Sequence, residues 1–252
     1  MVLRVFYRED RLAETTDGNA YVRNGQEKRK LTETEKREVR INKGEIEYEL
    51  EPSPLRWPED FDQSLVEQLA ASYTNKRQLT RKLSREEILT LIHLGKFRSS
   101  KEFEPNLACA LVFGRDPRKM VPGARLRVTR YDGTEETFGK NLNQTFDAFI
   151  DGPIPTQILE AERLINPLMR NFIRLGSDSR FHTLPEYPRE VWLEAIVNAC
   201  VHRSYNLKYM NVFIKIFENR IVVESPGGFL PPTTSIIPSF RMSEQCAEPG
   251  WL

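Results

Sequence analysis

The chain has 252 residues, enough to bury a substantial core, and its 37 basic and 36 acidic side chains leave a formal net charge of +1. A balance that close argues against a globally basic nucleic-acid binder, so any such surface has to be a local patch. Cys109, Cys200 and Cys246 stand far apart without CxxC spacing, the opening is charged and no apolar run reaches membrane length; these features argue against a disulfide framework, a zinc site, secretion or a membrane partner, and predict a cytoplasmic protein.

In chain order, "LRVFY" is a strand candidate, Asp17-Gly18 a turn, and "NAYVRNG" a second short strand closed by Gly25. Thr32 and Glu35 have capping-box spacing at the head of a short helix, "LTETEKREVR". "GEIEYELEP" resumes an extended pattern, and Pro52, Pro54 and Pro58 punctuate a linker. Asp62 is placed to cap "QSLVEQLAASY", and Ser84 with Glu87 to open "REEILTLIHLG", which should stop at Gly95. A lone His93 on that second helix reads as a packed residue rather than a ligand.

The continuous apolar run "NLACALVFG" predicts a buried strand. "ARLRVTRYDGTEETF" reads as two strands around Asp132-Gly133, and "PTQILEAERLINPLMRNFIRLG" as a helix that bends or breaks near Asn166-Pro167. A helix over roughly 188 to 203 follows, then "MNVFIKIF" and "RIVVES" as a pair hinged at Glu218-Asn219, and an aperiodic tail. Helices and strands mixed in this way predict an α/β architecture.

The helix near 188–203 carries the chemistry. Glu194, Asn198 and His202 are spaced by four and form one narrow stripe, while most other positions are apolar. A helix apolar nearly all round is expected to be buried, and a buried Glu needs a partner or a ligand. Glu194 has the chemistry of a general base if water lies in reach, and the Asn198 amide oxygen suits a hard cation such as Mg²⁺. His202 can donate to a phosphate or close the helix end. A Glu–Asn pair bonded to neighbouring backbone would give the same spacing, so the residues alone leave both readings open. Gly227-Gly228 likewise suits either a close backbone approach to a ligand or a simple turn. Arg115, Arg118, Lys119, Arg125, Arg127 and Arg130 form the densest positive cluster, with Arg125 and Arg127 expected on one strand face. That cluster, extended by Arg23 and Lys28 to Lys30, can grip a nucleic-acid backbone or be neutralised by Asp116, Glu135 and Glu136.

The stretch "YPREVWLEAIVNACVHRSYN" with "RIVVESPGGFLPP" resembles the carboxy-terminal region of bacterial and archaeal transcriptional regulators and RecG-like ATP-dependent DNA helicases. These proteins pair a Schlafen AlbA-type domain with a module related to the GHKL ATPases. "TTDGNAYVRNG", "LACALVFGRDPRKMVPGARLRVTRYDGTE" and "FIDGP" extend the resemblance in the same order. It implies a partial AlbA-like domain over 1–52, a linker and two-helix connector over 53–100, a central α/β unit over 101–178, and an incomplete GHKL-like (Bergerat-type) module over 179–252. It further implies ATP and Mg²⁺ as cofactors, Glu194 as the base, Asn198 as the Mg²⁺ ligand, and Ser225, Gly227 and Gly228 where the family reads adenine with Asp-x-Gly. Leu193, Ser204 and Ser225 depart from the family's pattern, and the chain looks like a fragment cut at the front and altered at the end. The function so implied is a nucleotide-binding, DNA-associated regulator in which oligomers are allowed and ATPase activity is weak; no helicase motor motif is present. The rivals are a non-enzymatic DNA-binding or interaction protein with a decayed nucleotide site, and a Schlafen-like nuclease.

Overall fold

Polar side chains start the first three helices where the sequence puts them. The computed structural model describes residues 11–79, 81, 83–99, 102–175, 179–227 and 240–243; the expected strand "LRVFY", Gly228 and Cys246 lie outside the described residues. A turn at Asp17-Gly18 leads into a hairpin of β1 (Tyr21–Asn24) and β2 (Glu27–Lys30). Helix α1 (Glu33–Asn42) opens with the expected capping box: Glu35 N–H donates to Thr32 Oγ1 at 3.3 Å, and Thr32 N–H to Glu35 Oε2 at 2.9 Å. Asp62 accepts from the Ser64 and Leu65 amides to start α2 (Gln63–Arg77), and the Ser84–Glu87 box starts α3 (Arg85–Leu91). Each device satisfies amides that the first helical turn otherwise leaves without partners.

Several expectations are corrected. "GEIEYELEP" is not extended but contains a 3₁₀ turn, Tyr48–Leu50, which drives the Tyr48 ring into the core. Helix α3 ends before Gly95, and His93 lies beyond it in a left-handed conformation (φ 60°), exposed rather than packed. Gly95 instead begins a short hairpin, β3 (Gly95–Phe97) with β4 (Phe103–Pro105). The run "NLACALVFG" is a helix, α4 (Leu107–Phe113), not a strand. A short apolar run cannot declare its period, because burial on every side suits either form. What decides is Asn106, whose side-chain oxygen accepts from Cys109 N–H at 2.9 Å, while Gly114 stops the helix where a Cβ would lie 2.4 Å from Ala110 O.

A further correction concerns the partner of β5 (Leu126–Tyr131). "TEETF" does not return as a strand; the returning strand is β6 (Gln144–Ile150), after a loop pinned by the Asn143 amide, which donates to Glu135 O at 2.8 Å. Helix α5 (Ile154–Ile165) ends at Asn166-Pro167 as expected, but the residues after that break form a strand rather than more helix. They pair as β7 (Asn171–Leu175) and β8 (Phe181–Pro185), ahead of α6 (Arg189–Val201). The expected hairpin of β9 (Val212–Ile216) and β10 (Arg220–Glu224) is present, and β11 (Phe240–Ser243) pairs with β10.

The architecture is mixed α/β. A five-stranded sheet runs β11-β10-β9-β5-β6, with β5 parallel to β9 and the other neighbours antiparallel. Alternation sends Leu126, Val128, Ile214, Ile216, Ile221 and Val223 to one face, where Ala161 and Ile165 of α5 and Trp192 and Ile196 of α6 cover them. A second core joins residues of α2, α3 and α4 to Tyr48, Phe61, Val121 and, from beyond α6, Tyr205. Among the described residues no helix is long and apolar enough to cross a membrane.

Both described cysteines are packed in these cores, and burial pushes the thiols of Cys109 and Cys200 up to about 12. Mildly alkaline thiol reagent should therefore leave both unmodified in the native protein and label both after denaturation. Peptide mapping by mass spectrometry checks this; native labelling of either would contradict the packing.

Candidate functional site

Helix α6 is divided lengthwise. Trp192, Ile196, Ala199 and Cys200 are buried against the sheet, while Glu194, Asn198 and His202 are exposed on the opposite side beside Val191 and Val201. The helix is thus not buried all round, and Glu194 does not need a buried partner. The apolar letters that suggested full burial include Val191 at 40% and Val201 at 61% exposure. Among the described residues neither the Glu194 carboxylate nor the Asn198 amide has a side-chain hydrogen bond or ion pair.

The last turn of α6 is closed from three directions. Its carbonyls have no partners within the helix, so groups outside must supply donors. His202 N–H donates to Asn198 O at 2.9 Å, Ser225 Oγ to Ala199 O at 2.7 Å, and Tyr205 OH to Cys200 O at 2.8 Å. Ser204 N–H also donates to Pro226 O at 2.8 Å, which ties the end of β10 to the helix end. Gly227 completes this contact. At φ +136°, with a would-be Cβ only 2.4 Å from Ser204 Oγ, it tolerates no side chain. The close approach expected of this glycine is therefore made to Ser204 of the same chain. Asn198, His202, Ser225 and Gly227 gather at one end of α6, with Glu194 one turn back.

Arg203, which the sequence reading passed over, is 3% exposed. Its Nη2 donates to Leu207 O at 3.0 Å and Met210 O at 2.5 Å, and its guanidinium lies 4.5 Å from the Tyr205 ring centroid. Burial lowers its pKa from the usual arginine value, and among the described residues Nε and Nη1 have no hydrogen-bond partner. It fixes the loop from α6 to β9. The only signal was its place, directly after the polar stripe in "HRSY".

Within the basic cluster, Arg118, Lys119, Arg125 and Arg127 meet carboxylates, while Arg115 and Arg130 donate to backbone carbonyls. Arg125 and Arg127 do share the outer sheet face, where both guanidinium groups lie over Phe149, at 4.0 and 5.1 Å. Arg127 binds Asp147 through two hydrogen bonds of 2.9 and 2.8 Å, which holds that carboxyl below its usual range. Arg118 bridges Asp116 and Asp151, and Arg125 also reaches Asp151, 2.9 Å from its Nε. Lys119 lies 3.7 Å from Asp60, Arg115 donates to Phe61 O at 3.2 Å, and Arg130 to Leu168 O. Further along the same face a hollow of about 210 Å³ is lined by Glu135, Glu136, Lys215, Phe217, Arg220 and Glu224. Its cations are likewise paired, Lys215 with Glu136 at 2.7 Å and Arg220 with Glu135 at 3.1 Å.

No protein-family profile matches the chain, and no curated protein does. In structure it is similar to the DIP2311 protein from Corynebacterium diphtheriae, with a TM-score of 0.53 and 19% identity. The likeness covers 88% of this chain and 42% of that one, so the chain spans less than half of its neighbour's length. Identity this low makes it a likeness of fold.

Proposed function

We propose that the chain supplies the α6 side of a Mg·ATP site in a nucleotide-responsive, DNA-associated regulatory protein. One observation carries the reading: Glu194 and Asn198 stand one turn apart, exposed and unpaired among the described residues, on a helix whose other side is locked into the core. A rigid scaffold presenting a free carboxylate and a free amide oxygen can accept a water and an oxygen-seeking cation without breaking a native contact. In this reading Asn198 ligates Mg²⁺, Glu194 orients the attacking water, His202 meets phosphate, and the backbone at Gly227 passes near the nucleotide. The sequence resemblance supplies ATP as the nucleotide and DNA as the associated partner, and occupancy would alter the arrangement of the domains. Weak ATPase activity fits this reading; helicase activity does not.

Calorimetric titration with ATP and Mg²⁺ tests it. The unmutated chain should bind, and Asn198→Ala should weaken binding at least tenfold, about 1.4 kcal/mol, with an unchanged circular dichroism spectrum. No heat from the folded, unmutated chain overturns the reading. A rival interaction protein with a decayed nucleotide site draws on one contact: Ser225 Oγ is committed to Ala199 O, at the place where an adenine-reading acid is expected. That rival predicts no heat.

A further inference from the structure

We propose that the β7–β8 ribbon is the contact surface of a homodimer, packing one uncharged face against the same face of a second copy. This goes beyond the nucleotide reading and does not depend on it. All ten residues of β7 and β8 are exposed. The ribbon is anchored at its base, where Arg170 Nε lies 3.2 and 3.1 Å from the two Glu186 carboxylate oxygens and Glu186 N–H donates to Arg170 O at 2.8 Å. A two-stranded ribbon alone is marginal in water and gains stability from packing against another element.

The register settles which residues share a side. Asn171, Ile173 and Leu175 pair directly with Pro185, Thr183 and Phe181, and directly opposed residues point the same way. None of these six carries a charge. Ile173, Leu175 and Phe181 are 71%, 63% and 76% exposed, so the outer half of this face is apolar and open. The charged member of β7, Arg174, opposes His182 on the other side.

A polyanion has nothing to recognise on an uncharged face. A second copy does: an isologous contact meets no like charge, and the two apolar outer halves cover each other across a two-fold axis. Covering the face removes on the order of 500 Å² per copy, or about 1,000 Å² in total, at the threshold for a specific interface. The dimer is accordingly weak and concentration-dependent.

Sedimentation equilibrium of the full chain from low to high micromolar concentration tests this. The mass should rise from one chain toward two, Phe181→Asp should hold it at one chain, and Arg174→Asp on the opposite side should leave association unchanged. Phe181 is exposed, so its loss should not unfold the protein, and circular dichroism verifies that. A monomer throughout overturns the proposal, as does a Phe181→Asp variant that associates like the parent. Association abolished by Arg174→Asp alone overturns the choice of face.

Discussion

Trp192→Ala should cost about 3–5 kcal/mol of folding stability, a large share of the roughly 5–15 kcal/mol typical of a whole domain. The ring is 1% exposed and lies in the cluster that joins α5 and α6 to the sheet. Its removal takes apolar area from the core and leaves a void that Ile196, at 0% exposure, cannot fill without moving the helix. Urea denaturation measures the loss. Asn198→Ala on the exposed side of the same helix should change stability by no more than about 0.5 kcal/mol. The pair separates scaffold from surface: equal losses would mean that Asn198 is not on an open face.

Asn106→Ala should cost about 2–4 kcal/mol, because one small side chain serves two elements. Its oxygen caps α4 through Cys109 N–H at 2.9 Å, and its nitrogen donates to His93 O at 2.7 Å, fixing the left-handed turn that ends α3. Alanine loses the cap and strands a carbonyl in a poorly hydrated place. Asn106→Asp keeps the cap acceptor but sets a carboxylate oxygen against the His93 carbonyl, so it too should rank below the parent. Thermal or urea unfolding of the two variants checks the order, and an alanine variant as stable as the parent would contradict the double role.

What the sequence revealed follows from the range of each signal. Capping boxes are complete within four residues, so Thr32–Glu35 and Ser84–Glu87 were legible, as were the Asp62 cap and the β9–β10 turn at Glu218-Asn219. The run "NLACALVFG" was misread because its apolar letters show burial without period, and the deciding cap, Asn106, is also engaged with His93, thirteen positions away. Ribbon β7–β8 was hidden by a helix pattern that continues across Asn166-Pro167. At the candidate site, the spacing of Glu194, Asn198 and His202 gave the stripe. Its direction, toward solvent, depended on where the sheet lies. The Ser204–Gly227 contact was invisible for the same reason, since it joins the end of α6 to a strand end more than twenty residues later, whereas Arg203 is held by the Leu207 and Met210 carbonyls of a loop whose path the letters do not declare.

The strand order also sets when this chain can fold. Strand β5 occupies an inner place in the sheet, yet its parallel neighbour β9 arrives far later: the Thr129 hydroxyl donates to Ile214 O across 85 intervening steps of chain. Tyr205, which belongs to the other core, is equally late. During synthesis the β5–β6 pair must wait with one long edge unpaired and its apolar side uncovered, a state prone to association with other chains. Neither core can close until α6 and the loop after it have left the ribosome, so the two halves should gain protection from hydrogen exchange together rather than in turn.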